Sequence, residues 1–179
     1  MKKEEIIINV RGNCFLRILR ENDISENYIS WLNDYEITKY TEQRFYKHNF
    51  ENVRNFVNDK FKSKNDFLFG IFYDDLHIGN VKLGPVKWEH KSTEVSYFIG
   101  NKNYWGIGIA TDVVNSIVKF SINSLSLIKI NAGYYETNIA SAKLLEKCGF
   151  NVEGRVTSNI IFENRRIDLI FTGYIEKII

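Results

Sequence analysis

Apolar positions along this chain switch between a period of two and a period near 3.6, and the switch points lay out most of the elements. Apolar runs and alternations bounded by turn residues predict strands over Glu5 to Val10 and Cys14 to Leu19, either side of an Arg11-Gly-Asn turn. Phe67 to Tyr73 and Leu76 to Leu83 form a predicted hairpin joined at Asp74-Asp75, with Gly84-Pro85 at its exit. Thr93 to Ile99 and Leu127 to Tyr134 read as two further strands, and Asn151 to Ile179 as strands paired around Glu163-Asn-Arg-Arg166.

Helical spacing marks Glu26 to Leu32, with Ser25 as cap and Asn33-Asp34 as stop, and Phe50 to Lys64, with Val53, Phe56, Val57 and Phe61 on one face. It recurs at Ala110, Val113, Val114, Ile117 and Val118, in a helix expected to run to about Ile122. A last helix follows Glu136-Thr-Asn138 and runs to Lys147. Its inner side carries Ala142, Leu145 and Cys148, and Gly149 suits a left-handed cap. Between the first two helices, Tyr35 to Asn49 has little regular period and is expected as a long polar connection carrying Tyr40, Glu42, Arg44, Tyr46 and His48.

No internal repeat, linker or low-complexity segment interrupts the pattern, so one domain over residues 1–179 is expected. A formal charge of +2 without a basic stripe argues against nucleic acid as a partner and is compatible with a small anionic ligand. Cys14 and Cys148 form no Cys-x-x-Cys pair, which argues against zinc and for a reducing compartment, by default the cytoplasm. His48, His77 and His90 lack ligand or triad spacing, so no metal is expected. The apolar run after Met1-Lys-Lys-Glu-Glu is too short for a signal peptide or a membrane span.

The segment Asn101-Lys-Asn-Tyr-Trp-Gly-Ile-Gly-Ile-Ala-Thr111 falls at a strand-to-helix turn. The first turn of a helix leaves N–H groups without partners, and glycines let the backbone curl so that those donors converge on an anion such as a phosphate. A dinucleotide fingerprint would need a third glycine where Thr111 stands, and a Walker loop would need Gly-Lys-Ser/Thr, which is absent. A tight turn with no ligand is the alternative for a single Gly-x-Gly.

Two signatures, Trp105-Gly-Ile-Gly-Ile-Ala-Thr111 and Asn138-Ile-Ala-Ser-Ala-Lys-Leu-Leu-Glu-Lys-Cys-Gly-Phe150, resemble those of the GNAT-type acyl-CoA N-acyltransferases, specifically the Rim-type branch of ribosomal-protein N-terminal acetyltransferases. The resemblance runs from Phe15-Leu-Arg17 to Asp168-Leu-Ile-Phe. It implies an α+β, three-layer α/β/α fold whose mixed, mostly antiparallel twisted sheet splays between its fourth and fifth strands, with helices on both faces and acetyl-CoA in the split. By resemblance, Phe98 and Ile99 would pair with the pantetheine arm. Amides of Trp105, Gly106, Ile107, Gly108, Ile109, Ala110 and Thr111 would take the pyrophosphate, and Asn138 and Ser141 would face the thiol end. Asn103 stands where the family commonly has Gln or Arg, which shifts the pyrophosphate onto backbone N–H groups and Lys102. Leu145 stands where many members have a tyrosine acid, and Ser141 is the expected substitute.

Acetyl transfer to a primary amine needs a group to accept a proton, and Glu94 and Glu136 are the candidates. Glu94 is expected to be buried among apolar neighbours and Glu136 to lie just past the adjacent strand. An oxyanion would meet a backbone N–H near Phe98 or Ile99. Direct attack in a ternary complex is favoured over an acetyl-enzyme, because Cys148 lies on an apolar helix side. Lys143 and Lys147 share a helix face one turn apart and are expected to be solvated, with the ribose phosphate of CoA as an alternative partner for either.

By resemblance, the acceptor would be chosen by Trp31, Tyr40, Glu42, Arg44 and Lys82. The stretches around them are similar to acetyltransferases encoded with surface-sugar pathways, which implies an amino-sugar nucleotide or similar small amine. A protein N-terminus is the alternative acceptor, and a silent acyl-CoA sensor is the alternative of another class. No membrane partner is expected, and the family leaves room for a homodimer.

Overall fold

The computed structural model describes residues 2–176, so Met1 and residues 177–179, the last part of the expected tail, lie outside the described residues. Eight strands form one sheet: β1 (Ile7–Asn9), β2 (Cys14–Ile18), β3 (Phe67–Tyr73), β4 (Leu76–Leu83), β5 (Ser92–Ile99), β6 (Lys129–Tyr135), β7 (Asn151–Phe162) and β8 (Arg165–Ile175), in the order β1-β2-β3-β4-β5-β6-β8-β7. Every neighbouring pair is antiparallel except β5 and β6, which run parallel. That parallel ladder covers only Ser92 to Glu94 against Lys129 to Asn131, after which the two strands diverge. Counted along this chain the splayed strands are the fifth and sixth, because the short β1 advances the numbering by one.

The helices are α1 (Glu26–Asn33), α2 (Tyr35–Thr38), α3 (Phe50–Lys62), α4 (Ile109–Asn123) and α5 (Ile139–Lys147). They cover opposite faces of the sheet because strand side chains alternate. Val95 and Ile130 point into a large core shared with Val113, Ile117 and Leu145 of α4 and α5. Leu68 and Phe98 point the other way and pack with Tyr28, Trp31, Val53 and Val57 of α1 and α3. Three layers result. No helix among the described residues is long and apolar enough to cross a membrane.

Local chemistry sets the boundaries. The Ser25 hydroxyl accepts from the Tyr28 N–H at 3.2 Å to start α1, and Asn49 and Asn52 cap α3 reciprocally at 3.0 Å each way. Asp74 and Asp75, at φ 47° and 62°, close the β3–β4 hairpin in the left-handed geometry that suits strand twist, and Glu163 and Asn164, at 48° and 62°, do the same for β7–β8. The stretch from Tyr35 to Asn49 is more ordered than its sequence suggests. Asp34 accepts from Glu36 N–H at 2.9 Å to begin α2, and Thr41 caps a 3-10 turn over Glu42–Phe45. These elements are started by polar caps and carry no apolar period, which is why hydrophobic spacing did not reveal them.

Gly100 ends β5 against the Trp31 ring, where an added Cβ would stand 2.1 Å from the indole. Gly100→Ala is expected to cost about 1–3 kcal/mol by overpacking. Thermal denaturation should show a lower midpoint, and Trp31→Phe in the same chain should recover part of it.

Candidate functional site

The divergence of β5 from β6 creates a cleft, and hydrogen-bond parity decides which groups line it. Gly84 N–H donates to Glu94 O at 2.8 Å and Gly100 N–H to Ile78 O at 2.8 Å, so Glu94, Ser96 and Phe98 direct their backbone groups toward β4. The intervening residues direct theirs into the split. From the Val95 carbonyl onward, the Tyr97 N–H and C=O and the Ile99 N–H have no strand partner among the described residues. Phe98 is therefore corrected: its backbone is spent on β4, and the edge open to an extended ligand belongs to Tyr97 and Ile99.

Just beyond β5, the Trp105 indole N–H donates to Ile99 O at 2.8 Å and closes the upper end of that edge. Trp105 N–H itself donates to Lys102 O at 3.1 Å, and Thr111 N–H to Gly108 O at 3.0 Å, so these two amides are already used. The N–H groups of Gly106, Ile107, Gly108, Ile109 and Ala110 have no acceptor among the described residues. Gly106 and Gly108 sit at φ 75° and 88°, and an added Cβ would meet nothing within 4 Å, so backbone conformation and not crowding calls for glycine. Unpaired donors at the start of a 15-residue helix suit a phosphate. Asn103 lies in a short turn with its N–H on Asn101 Oδ1. Lys102 is spent on Asp34 at 2.8 Å and Glu36 at 2.7 Å, with its Nζ 5.8 Å from the centroid of the Trp105 ring.

At the far end of the open edge, Asn138 Oδ1 caps α5 by accepting the Ser141 N–H at 3.2 Å, and the Ser141 hydroxyl lies 2.9 Å from the Tyr97 hydroxyl. Tyr97 was not among the expected site residues, although it shares strand parity with Val95 and Ile99. Burial pushes its phenol up to about 12 in spite of the bond to Ser141. Leu145 is 1% exposed and belongs wholly to the core.

The acceptor side departs from expectation in several places. Glu94 is exposed and not buried among apolar side chains, because it shares the outer parity of Ser96. Glu136 is paired with Arg155 at 3.3 Å, which also holds Asp168 at 2.6 Å, so Glu136 is an ion-pair residue. Arg44 donates to Lys39 O at 2.6 Å and Ile161 O at 3.0 Å and lies over the rings of Phe45 and Tyr135, 4.4 and 5.0 Å from their centroids, so two of its five N–H groups are held by the protein itself. Tyr40 stacks on Phe162 with centroids 5.1 Å apart, and Glu42 accepts from the Tyr135 hydroxyl. Trp31 is buried against Gly100, and Lys82 is half-buried opposite Ser96. Tyr40, Glu42 and Arg44 thus gather over Tyr135, whereas Trp31 and Lys82 lie on the β4–β5 half.

His77, expected to have no metal or catalytic role, sits beneath α1. It packs against Tyr28, Trp31 and Phe72, and its Nε2 lies 2.8 Å from Asn80 Oδ1 and 3.0 Å from Gly79 O. Burial holds its pKa below the usual histidine range. Among the described residues no three His, Cys, Asp or Glu side chains gather as a metal site.

A half-open strand edge thus leads from hydroxyls at one end to unpaired helix N–H groups at the other, an arrangement with the hydrogen-bonding capacity for an extended, amide-bearing, phosphorylated molecule. Residues 13–151 match the acetyltransferase (GNAT) domain family, and the chain belongs to that family. It is 32% identical over 105 residues to the probable N-acetyltransferase YjcK of Bacillus subtilis (strain 168), a match that spans 57% of this chain and 58% of that relative, less than two thirds of its length. The fold is also that of the spermidine N-acetyltransferase of Vibrio cholerae solved with CoA and spermine, at TM-score 0.82 and 23% identity over 92% of this chain and 96% of that one. RimL, a ribosomal α-N-protein acetyltransferase solved with coenzyme A, superposes at TM-score 0.86 with 15% identity, over 95% of this chain and 98% of that one.

Both thiols are buried, and burial pushes each up to about 11. At pH 8 the thiolate fraction is then on the order of one part in a thousand. A maleimide is expected to label neither Cys14 nor Cys148 rapidly in the native protein at pH 8 and to label both on unfolding, with mass spectrometry as the readout. Rapid native labelling of Cys148 would reopen an acetyl-enzyme route.

Proposed function

We propose that this protein is an acetyl-CoA-dependent N-acetyltransferase that moves the acetyl group to a small cationic primary amine by direct attack in a ternary complex. The observation that carries this reading is the β5 edge left open past Glu94, in line with the unpaired amides of Gly106 to Ala110. Pantetheine is an extended chain with two amides, and a strand edge recognises it as it would another strand. The open N–H and C=O of Tyr97 and the N–H of Ile99 serve that role, the turn at Gly106 to Ala110 takes the pyrophosphate, and Asn138 and Ser141 face the thiol end.

Glu94 accepts the amine's proton through water. Its exposure suits this relay, since the acceptor enters from the face that Glu94, Ser96 and Phe98 share. Buried thiols support direct attack over a covalent acetyl-enzyme.

A small cationic acceptor is favoured over a nucleotide sugar because Arg44 is tethered to the Lys39 and Ile161 carbonyls and lies over the Tyr135 ring, which commits part of its fork to the protein's own groups. The carboxylates of Glu42 and Glu94 form no ion pair among the described residues, and both are exposed. The fold shared with a spermidine acetyltransferase points the same way. The fold shared with RimL keeps the Rim-type reading, a protein N-terminus as acceptor, as the runner-up.

Thiol release from acetyl-CoA should be measured with aliphatic polyamines, amino-terminal peptides and UDP- or dTDP-linked amino sugars. Polyamines are expected to give the highest kcat/KM, and Glu94→Gln to lower it about a hundredfold. Release with peptides alone would replace the small-amine reading by the Rim-type one. Tight CoA binding without release to any amine would make the protein a binding module.

A further inference from the structure

We infer that Tyr97 is a positioning residue that holds Ser141 as the hydrogen-bond donor to the sulfur leaving the acetyl group. The inference rests on the acetyl-transfer reading of the cleft and assigns a part to a residue outside the expected set.

The two hydroxyls are 2.9 Å apart and carry two O–H hydrogens between them, of which their mutual bond uses one. No other acceptor among the described residues takes the second. Both oxygens are fixed from behind. Tyr97 stands on β5 with its backbone bordering the split and its ring packed against the main core. Ser141 is held in the first turn of α5 by the Asn138 cap at 3.2 Å. The bond therefore reaches from β5 to α5 across the strand divergence, and its unused hydrogen is available at the thiol end of the open edge.

The helix cannot supply a phenol of its own. Leu145, one turn further along α5, is a hydrocarbon 1% exposed. Burial keeps the Tyr97 hydroxyl protonated throughout the neutral range, so the pair acts as donor and never as base. During transfer the amine lone pair forms the C–N bond, and the C–S bond breaks with its electron pair on sulfur. The surplus proton on nitrogen passes to water on the Glu94 side, and the thiolate takes one from water as it departs. A thiol has a pKa near ~8.5, far below that of a serine hydroxyl, so the pair supplies a charge-assisted hydrogen bond to the sulfur and not a full proton transfer.

The test is a set of four variants, Tyr97→Phe, Ser141→Ala, the double variant and Ser141→Thr, assayed by thiol release with the best amine. Melting temperature and CoA affinity are measured alongside. Tyr97→Phe and Ser141→Ala should each lower kcat about tenfold, with the KM for acetyl-CoA within about twofold of the parent. The double variant should be no slower than the slower single, because both remove one device. Ser141→Thr, which keeps the hydroxyl, should retain most of kcat.

Wild-type kcat in Tyr97→Phe, or losses that multiply in the double variant, would overturn the inference, as would a drop in melting temperature with kcat untouched. If Tyr97→Phe does not fold, a tenfold loss in Ser141→Ala that Ser141→Thr recovers supports the inference, and wild-type kcat in Ser141→Ala overturns it. A parent protein that releases no thiol with any amine defeats the acetyltransferase reading itself. An active parent with an unaffected Tyr97→Phe defeats only this inference.

Discussion

Three residues of parallel pairing, Ser92 to Glu94 against Lys129 to Asn131, join the two halves of an eight-stranded sheet. Everything past that hinge follows from the backbone's need for hydrogen-bond partners. β4 satisfies every second residue of β5 along its length, while β6 turns away and leaves the alternate residues facing a gap. An exposed edge of this kind is normally paired or covered, because it invites another chain. In this protein one end is tied off by the Trp105 indole on Ile99 O and the other is spanned by the Tyr97–Ser141 hydroxyl bond. Between these two ties the edge keeps a short stretch of unpaired groups, and that stretch is what a ligand can read.

The helices hold the gap open from both sides. α4 and α5 share the main core with β5 and β6, so Val95 and Ile130 remain buried while the strands above them separate. On the other face, Trp31 lies flat on Gly100 and fixes the direction in which β5 leaves the sheet. Lys102 then ties the following loop to Asp34 and Glu36 at the α1–α2 junction. These ion pairs are exposed and worth little singly, but they join the phosphate-side turn to the segment that carries the acceptor-side residues.

Several expected site residues stand in contacts other than those foreseen. Arg44 is an arginine in a loop, a natural candidate for an anion, yet two backbone carbonyls and the neighbouring rings hold it in place. Glu136 answers Arg155. Glu94 was expected to be buried because its neighbours in sequence are apolar, but strand alternation places it outward. Loop residues carry no period from which direction can be read, and partners such as Ile161, Asp168 and Arg155 lie far away in sequence. Conversely, Tyr97 looked like an ordinary strand residue, and only its contact with Ser141 marks it out.

The sequence by itself determined the order of the strands and of α1, α3, α4 and α5, the glycine turn at Gly106 and Gly108, and the start of α5 after Asn138, because each depends on interactions within a few residues of chain. The family signatures extended that reading to the split sheet. Tertiary structure alone decided which backbone groups of β5 stay unpaired, which amides of the turn are already taken, and which carboxylates and hydroxyls face the cleft. Those outcomes depend on strand register and on partners brought together from opposite ends of the chain, and pairing across such distances is fixed only when the whole sheet has closed on its two cores.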